Sequence, residues 1–244
     1  MSSFLIYPAI DLAAGRAVRL LRGERARCRE VAADPVALAR RLDGEGAPFL
    51  HVVDLDAAFG DGDNETVVAR IVSAVSCPVQ VGGGIREAGK AARLLEGGAR
   101  RVILGTAALA SPELLAGLVA DDPECVVVAA DTRAGRVVVR GWTEDGGMGL
   151  GEFARDIRRR GVLHLLVTAV EMDGTGEGPA LDVLVEAMAA FGPGVIGSGG
   201  IGAVAHLGRL APLVRQGLAG IVVGSLLVDG TATVGELLGA ARGF

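Results

Sequence analysis

Three aspartates stand where a proton can be moved between groups. Asp11 closes the apolar run Pro8-Ala-Ile-Asp11, Asp131 closes another over Val126–Ala130, and Asp173 sits in the turn Met172-Asp173-Gly174-Thr175. Carboxylates that share one site divide acid and base roles when their surroundings push their pKa values apart. The plainer use of an aspartate at a strand end is as a loop or helix cap. Asp54 is read that way, and Asp56 stays open between the two uses. His51 lies inside an apolar run, where it is either a core group or, facing a mouth, a hydrogen-bond partner for an intermediate. Neither His164 nor His206 has a ligand-like companion, and Cys28, Cys77 and Cys125 are far apart. No metal site, disulfide framework or metal knuckle is expected. Lys90 is the single lysine and falls in a helix-like stretch, so Schiff-base chemistry on a lysine is set aside.

A second set of residues suits anions. Gly82-Gly83-Gly84 and Gly105-Thr106 are echoed by Ser198-Gly199-Gly200 and Gly224-Ser225. Glycine lets backbone N–H groups come close to a phosphate, and a following helix N-terminus adds partial positive charge. Two such cradles imply an elongated small-molecule substrate with a phosphate at each end. No nucleotide-triphosphate P-loop sequence occurs. Arg19 and Arg140 sit on matching extra strands, where either can grip a phosphate or carboxylate bidentately. Trp142, the sole tryptophan in a chain with 3% aromatics, is expected to stack on the substrate.

These residues are carried by a regular alternation. Apolar, β-branched runs at Phe4–Ile10, Phe49–Leu55, Val79–Val81, Arg101–Leu104, Val126–Ala130, Leu163–Thr168, Val195–Gly197 and Gly220–Val223 predict strands. Helices are predicted near 35–46, 64–75, 87–97, 112–120, 149–160, 180–190, 203–216 and 232–241, with Pro35 and Pro112 in first turns behind the caps Asp34 and Ser111. Eight β-then-α units without a linker predict an α/β protein, a single (β/α)8 TIM barrel as one domain over residues 1–244. The segments 11–18 and 131–138 match at an offset of 120, and His51–Asp56 aligns with Thr168–Asp173 at 117. With the two glycine pairs, these repeats describe two similar half-barrels. Barrel active sites lie at the carboxyl ends of the strands, where every repeated motif begins.

Composition narrows the partners. Half the residues are hydrophobic and the net charge is −5 with no basic run, which excludes nucleic acid and an anionic membrane as main partners. The N-terminus opens directly into a strand without a signal-like stretch, and no apolar run approaches the roughly 20 residues of a membrane helix. A cytoplasmic protein is expected, and a monomer. Leu21–Glu30, charged and beside the mouth, is expected to be a mobile flap.

The segments Pro8–Leu12, Ala17–Leu20, His51–Leu55, Gln80–Arg86, Ile103–Ala107, Arg140–Trp142, Asp173–Thr175 and Ser198–Gly200 resemble the histidine-biosynthesis phosphoribosyl isomerase family. The resemblance runs nearly end to end. It implies a duplicated half-barrel that needs no cofactor and converts the two-phosphate aminoaldose ProFAR to the aminoketose PRFAR by an Amadori rearrangement. It further implies an acid, Asp131 or Asp173, that opens the furanose ring, a base, Asp11, that takes the C2 proton, and a site hydroxyl at Thr168. Some segments depart from the family pattern: Ala169-Val170-Glu171-Met172 after the sixth strand, Gly197 before Ser198, and Gly224-Ser225-Leu226 after the eighth. Segments 54–60 and 141–147 resemble the actinobacterial bifunctional branch, which implies phosphoribosylanthranilate as a second or substituted substrate in tryptophan biosynthesis. The related cyclase would carry a lysine near Arg19, which is absent. A non-catalytic paralogue is the remaining alternative.

Overall fold

The computed structural model describes residues 4–21, 24–139, 141–142 and 144–244. It has twelve strands among these residues: β1 Leu5–Ala13, β2 Arg16–Leu21, β3 Glu24–Ala32, β4 Leu50–Asp54, β5 Val79–Gly82, β6 Arg101–Leu104, β7 Val126–Arg133, β8 Arg136–Val139, β9 Glu144–Gly149, β10 His164–Ala169, β11 Val195–Ser198 and β12 Gly220–Val223. Eight are parallel neighbours in the order β10-β11-β12-β1-β4-β5-β6-β7, and the parallel pairing of β7 with β10 closes the ring. Helices run between the strands on the outside, so the chain is a (β/α)8 TIM barrel.

The two half-barrels share more than sequence. β1 and β7, on opposite sides of the ring, each extend into an antiparallel ribbon, β2–β3 and β8–β9. The ribbons turn at Ala14-Gly15 with φ 48° and 76°, and at Ala134-Gly135 with φ 49° and 76°. Both central residues are left-handed, as the tight hairpin turn requires.

Several expectations are corrected. The predicted flap Leu21–Glu30 is largely strand β3, paired antiparallel to β2, with residues 22 and 23 outside the described residues. The helix predicted over 203–216 is a 3-10 helix, Val204–Leu210, followed by a short α-helix, Ala211–Val214, whose first turn holds a proline. Pro212 has no N–H to continue a ladder, so the helix restarts there. Asp34 caps Pro35–Gly44 through Val36 N and Ala37 N at 3.0 and 3.1 Å. Ser111 occupies the corresponding position before Pro112–Asp121 without a side-chain cap bond.

Alternation along parallel strands builds an inner layer and an outer one. Tyr7, Ala9, Phe49, Ile103, Val127, Leu166, Ile196 and Val222 pack inside the ring, while a larger cluster packs strands against helices. At the amino end, the Arg101 guanidinium lies 5.0 Å from the Phe49 ring centre. Glu124 bridges Arg101 at 3.5 Å and His164 at 2.9 Å. That end is filled, and the open space lies at the other.

Candidate active site

The inward face of each strand continues past the core layer into the mouth. Residues two positions beyond a core side chain point the same way. Ala9 is therefore followed by Asp11, Phe49 by His51, Ile103 by Gly105, Leu166 by Thr168, Ile196 by Ser198 and Val222 by Gly224. Together they line a cavity of about 590 Å3 with Asp131, Asp173 and Trp142, a size suited to a small-molecule ligand. Gly82, Gly83, Gly84, Thr106, Gly199, Gly200, Ser225 and Arg19 also line it. Arg140 lies outside the described residues; every other predicted site residue is at this one cavity.

The three carboxylates are held differently. Asp11 Oδ2 accepts from Arg19 Nη1 at 3.2 Å, both side chains 16% exposed. Burial raises its pKa and the Arg19 charge opposes that rise. Burial also raises the pKa of Asp131, opposed by hydrogen bonds from Trp142 and Thr168 to its carboxylate. Asp173 is pushed up to about 6, first by burial and then by the charges of Asp11 and Asp131, with Arg19 pulling the other way. The three carboxylates thus have unequal surroundings, and Asp173 holds its proton to higher pH than an ordinary aspartate. His51 is pushed down to about 4 by burial, so its ring is neutral at pH 7.

The carboxylates that serve as supports are equally clear. Asp54 accepts from Ala57 N at 3.1 Å, Asn64 N at 2.8 Å and Asn64 Nδ2 at 2.7 Å, capping the helix Leu55–Phe59. Asp56, undecided from sequence, accepts Ala14 N at 2.7 Å and so ties down the first ribbon turn. In the other half Glu171 accepts Ala134 N at 2.8 Å. Glu171, a departure from the family pattern, thus does for the second ribbon what Asp56 does for the first. Asp173, the sequence counterpart of Asp56, faces the cavity instead.

The glycine loops serve packing and opening at once. A Cβ on Gly83, at φ 105°, would sit 2.1 Å from Asp54 O, and one on Gly200, at φ 80°, would sit 1.9 Å from Gly178 O. Those two are needed for close approach between neighbouring loops. Gly105 differs: a Cβ there meets nothing within 4 Å. Across the mouth, Arg19 Nη1 lies 2.3 Å from where a Gly224 Cβ would be, so its guanidinium rests on that loop. Trp142 has φ 72° in the loop where Gly141 abuts the Phe59 ring. Arg86 was not singled out from sequence as a site residue; it lines the cavity and donates to Ala58 O at 3.0 Å. Its position directly after the Gly82–Ile85 turn is the available signal. Among the described residues no group of three or more His, Cys, Asp or Glu is placed to hold a metal, and no helix is long and apolar enough to cross a membrane.

The family described as "Histidine biosynthesis protein" matches residues 5–233. The chain belongs to this histidine biosynthesis family. Within the family, a relative from Pelotomaculum thermopropionicum is 45% identical over 240 residues, covering 98% of this chain and 93% of the relative. One from Desulforudis audaxviator is 44% identical, covering 98% and 91%, and one from a Synechococcus strain is 41% identical, covering 96% and 92%. All three are named 1-(5-phosphoribosyl)-5-((5-phosphoribosylamino)methylideneamino) imidazole-4-carboxamide isomerase. That name contains two phosphoribosyl groups.

Proposed function

We propose that this chain is a cofactor-free aldose–ketose isomerase that converts ProFAR to PRFAR in histidine biosynthesis. The observation that carries the reading is the set Asp11, Asp131 and Asp173 in one cavity between two opposed glycine loops. The relatives' shared name supports the substrate. One phosphate is held by Gly82–Gly84 with Gly105 and Thr106. The other is held by Ser198–Gly200 with Gly224 and Ser225, and Arg19, resting on Gly224, supplies a charge-assisted donor there.

Of the two acids left open by sequence, the reading assigns Asp173. Its pKa is pushed up to about 6, first by burial and then by the charges of both neighbours, whereas at Asp131 hydrogen bonds from Trp142 and Thr168 oppose the rise that burial causes. Asp173 protonates the furanose ring oxygen, and the ring opens to a Schiff base formed from the substrate's own amine. Asp11, whose ionised form the Arg19 cation beside it favours, removes the C2 proton. The resulting enolamine takes a proton at C1 and becomes the Amadori ketose. Asp131 and Thr168 hold the opened sugar, and Trp142 stacks beside it. The enzyme works as a single-domain cytoplasmic monomer under this reading.

Phosphoribosylanthranilate, the substrate suggested by the likeness of segments 54–60 and 141–147 to the bifunctional branch, draws no support from the relatives' names. Steady-state assays of the purified chain on both substrates test the assignment. ProFAR is turned over, and Asp11→Asn and Asp173→Asn each lose on the order of a thousandfold in kcat. Failure to bind or convert ProFAR removes the reading.

A further inference from the structure

Gln80 is fully buried in the middle of β5, in a run otherwise made of Val79, Val81 and Gly82. The β4–β5 register sets it directly beside His51. Its side-chain nitrogen lies 2.8 Å from His51 Nδ1, and its Oε1 has no hydrogen-bond partner among the described residues. The amide can be turned over in the same space, so the two orientations must be weighed chemically. With the oxygen toward the ring, the amide would strand both N–H donors in an apolar wall. With the nitrogen toward the ring, one N–H is paired, and the other N–H and the carbonyl are left. Stranded buried N–H groups are the rarer and costlier case.

We propose that the Gln80 amide donates to Nδ1 and thereby fixes His51 as the Nε2–H tautomer, making Gln80 a positioning residue that presents a neutral donor in the cavity. The ring lines that cavity, and a neutral imidazole carries one N–H, so pairing at Nδ1 places it on Nε2. A sugar oxygen of the opened substrate is the acceptor class it fits. A carboxylate at position 80 would do the opposite: it would draw the proton to Nδ1 and favour the ring cation. A cation in the same cavity would lower the raised carboxylate pKa values on which proton transfer depends. The role in catalysis rests on the isomerase reading, whereas the tautomer does not.

The chain holds three histidines, so long-range 1H–15N correlation on histidine-labelled protein at pH 7 resolves each ring, with His51→Asn identifying its signals. Wild-type His51 is expected to show a bare Nδ1 and a protonated Nε2. Gln80→Glu moves the proton to Nδ1, and Gln80→Met releases the preference. Both variants lose about tenfold in kcat on ProFAR with KM little changed. A wild-type ring protonated at Nδ1 overturns the proposal, as does a Gln80→Met protein with native tautomer and native kcat. The wild-type spectrum decides the tautomer even where a variant fails to fold. A protein with the expected tautomer but no ProFAR turnover refutes the isomerase reading and not the tautomer.

Discussion

Replacing Arg19 with methionine removes the cation that faces two acids. The Arg19 Nη1–Asp11 Oδ2 distance is 3.2 Å, and the same charge lowers the Asp173 pKa. Both charges are delocalised, so about 4 Å is a fair separation. Their attraction there is about 4 kcal/mol at an effective dielectric near 20 and about 1 kcal/mol in water. With each side chain one-sixth exposed, the attraction falls between these limits, so losing it is expected to raise the Asp11 pKa, and the Asp173 pKa by less. In the proposed mechanism Asp11 works ionised, so the acidic limb of kcat/KM against pH moves up. The proposed acid Asp173 works protonated, so the alkaline limb, expected near 6 in the native protein, also moves up. The overall level is expected to fall with loss of the proposed phosphate donor, but the limbs report the free enzyme whatever that level. Arg19→Lys keeps the charge and brings both limbs back toward native values. Limbs that stay put, or move to lower pH, refute the electrostatic role given to Arg19.

The remaining predictions use simpler measurements. Asp173→Asn raises the melting temperature at pH 7.5: a folded pKa of about 6 against an ordinary 3.8 means the ionised form costs stability. The full shift corresponds to about 3 kcal/mol and partial exposure leaves about 1–2, or roughly 4 °C. That gain fades as pH falls through 6 and is absent below 3.8, where both states are protonated. Gly83→Ala fails to fold or melts far lower because its Cβ would meet Asp54 O at 2.1 Å. Gly105→Ala melts normally, since nothing lies within 4 Å, but its methyl is expected to intrude on the proposed phosphate loop and raise KM by about tenfold, equivalent to about 1.4 kcal/mol. Trp142 fluorescence changes on titration with PRFAR, because the sole indole lines the cavity.

The barrel was legible because nearly every β-branched run leads into a glycine or an aspartate, and the two halves repeat most of that punctuation. Asp11 and Asp131 were placed opposite each other by that repeat, and Asp54 was recognisable as a cap. What escaped notice had no period to display. Strand β3, Glu-Arg-Ala-Arg-Cys-Arg-Glu-Val-Ala, sits in a ribbon outside the barrel, so it alternates arginine with small residues and lacks the β-branched apolar run that marks the barrel strands. Strand β9 carries three glycines in six residues. The helices Leu55–Phe59, Ala107–Ala110 and Ser225–Val228 span one turn each, too short for a 3.6-residue pattern. The shared role of Asp56 and Glu171 was hidden because the alignment paired Asp56 with Asp173, and only the Ala14 and Ala134 amides reveal which carboxylate is the support. Gln80 was hidden as the single polar residue in an apolar run, its partner supplied by the neighbouring strand.

Proton transfer by Asp11 within a two-phosphate sugar is tested most directly by following ProFAR with the purified protein in deuterated water. The ketose PRFAR should form with solvent deuterium at C1, and Asp11→Asn should leave the aldose unchanged over the same time. ProFAR that stays unconverted by the native protein, or is converted as fast by Asp11→Asn, contradicts the mechanism.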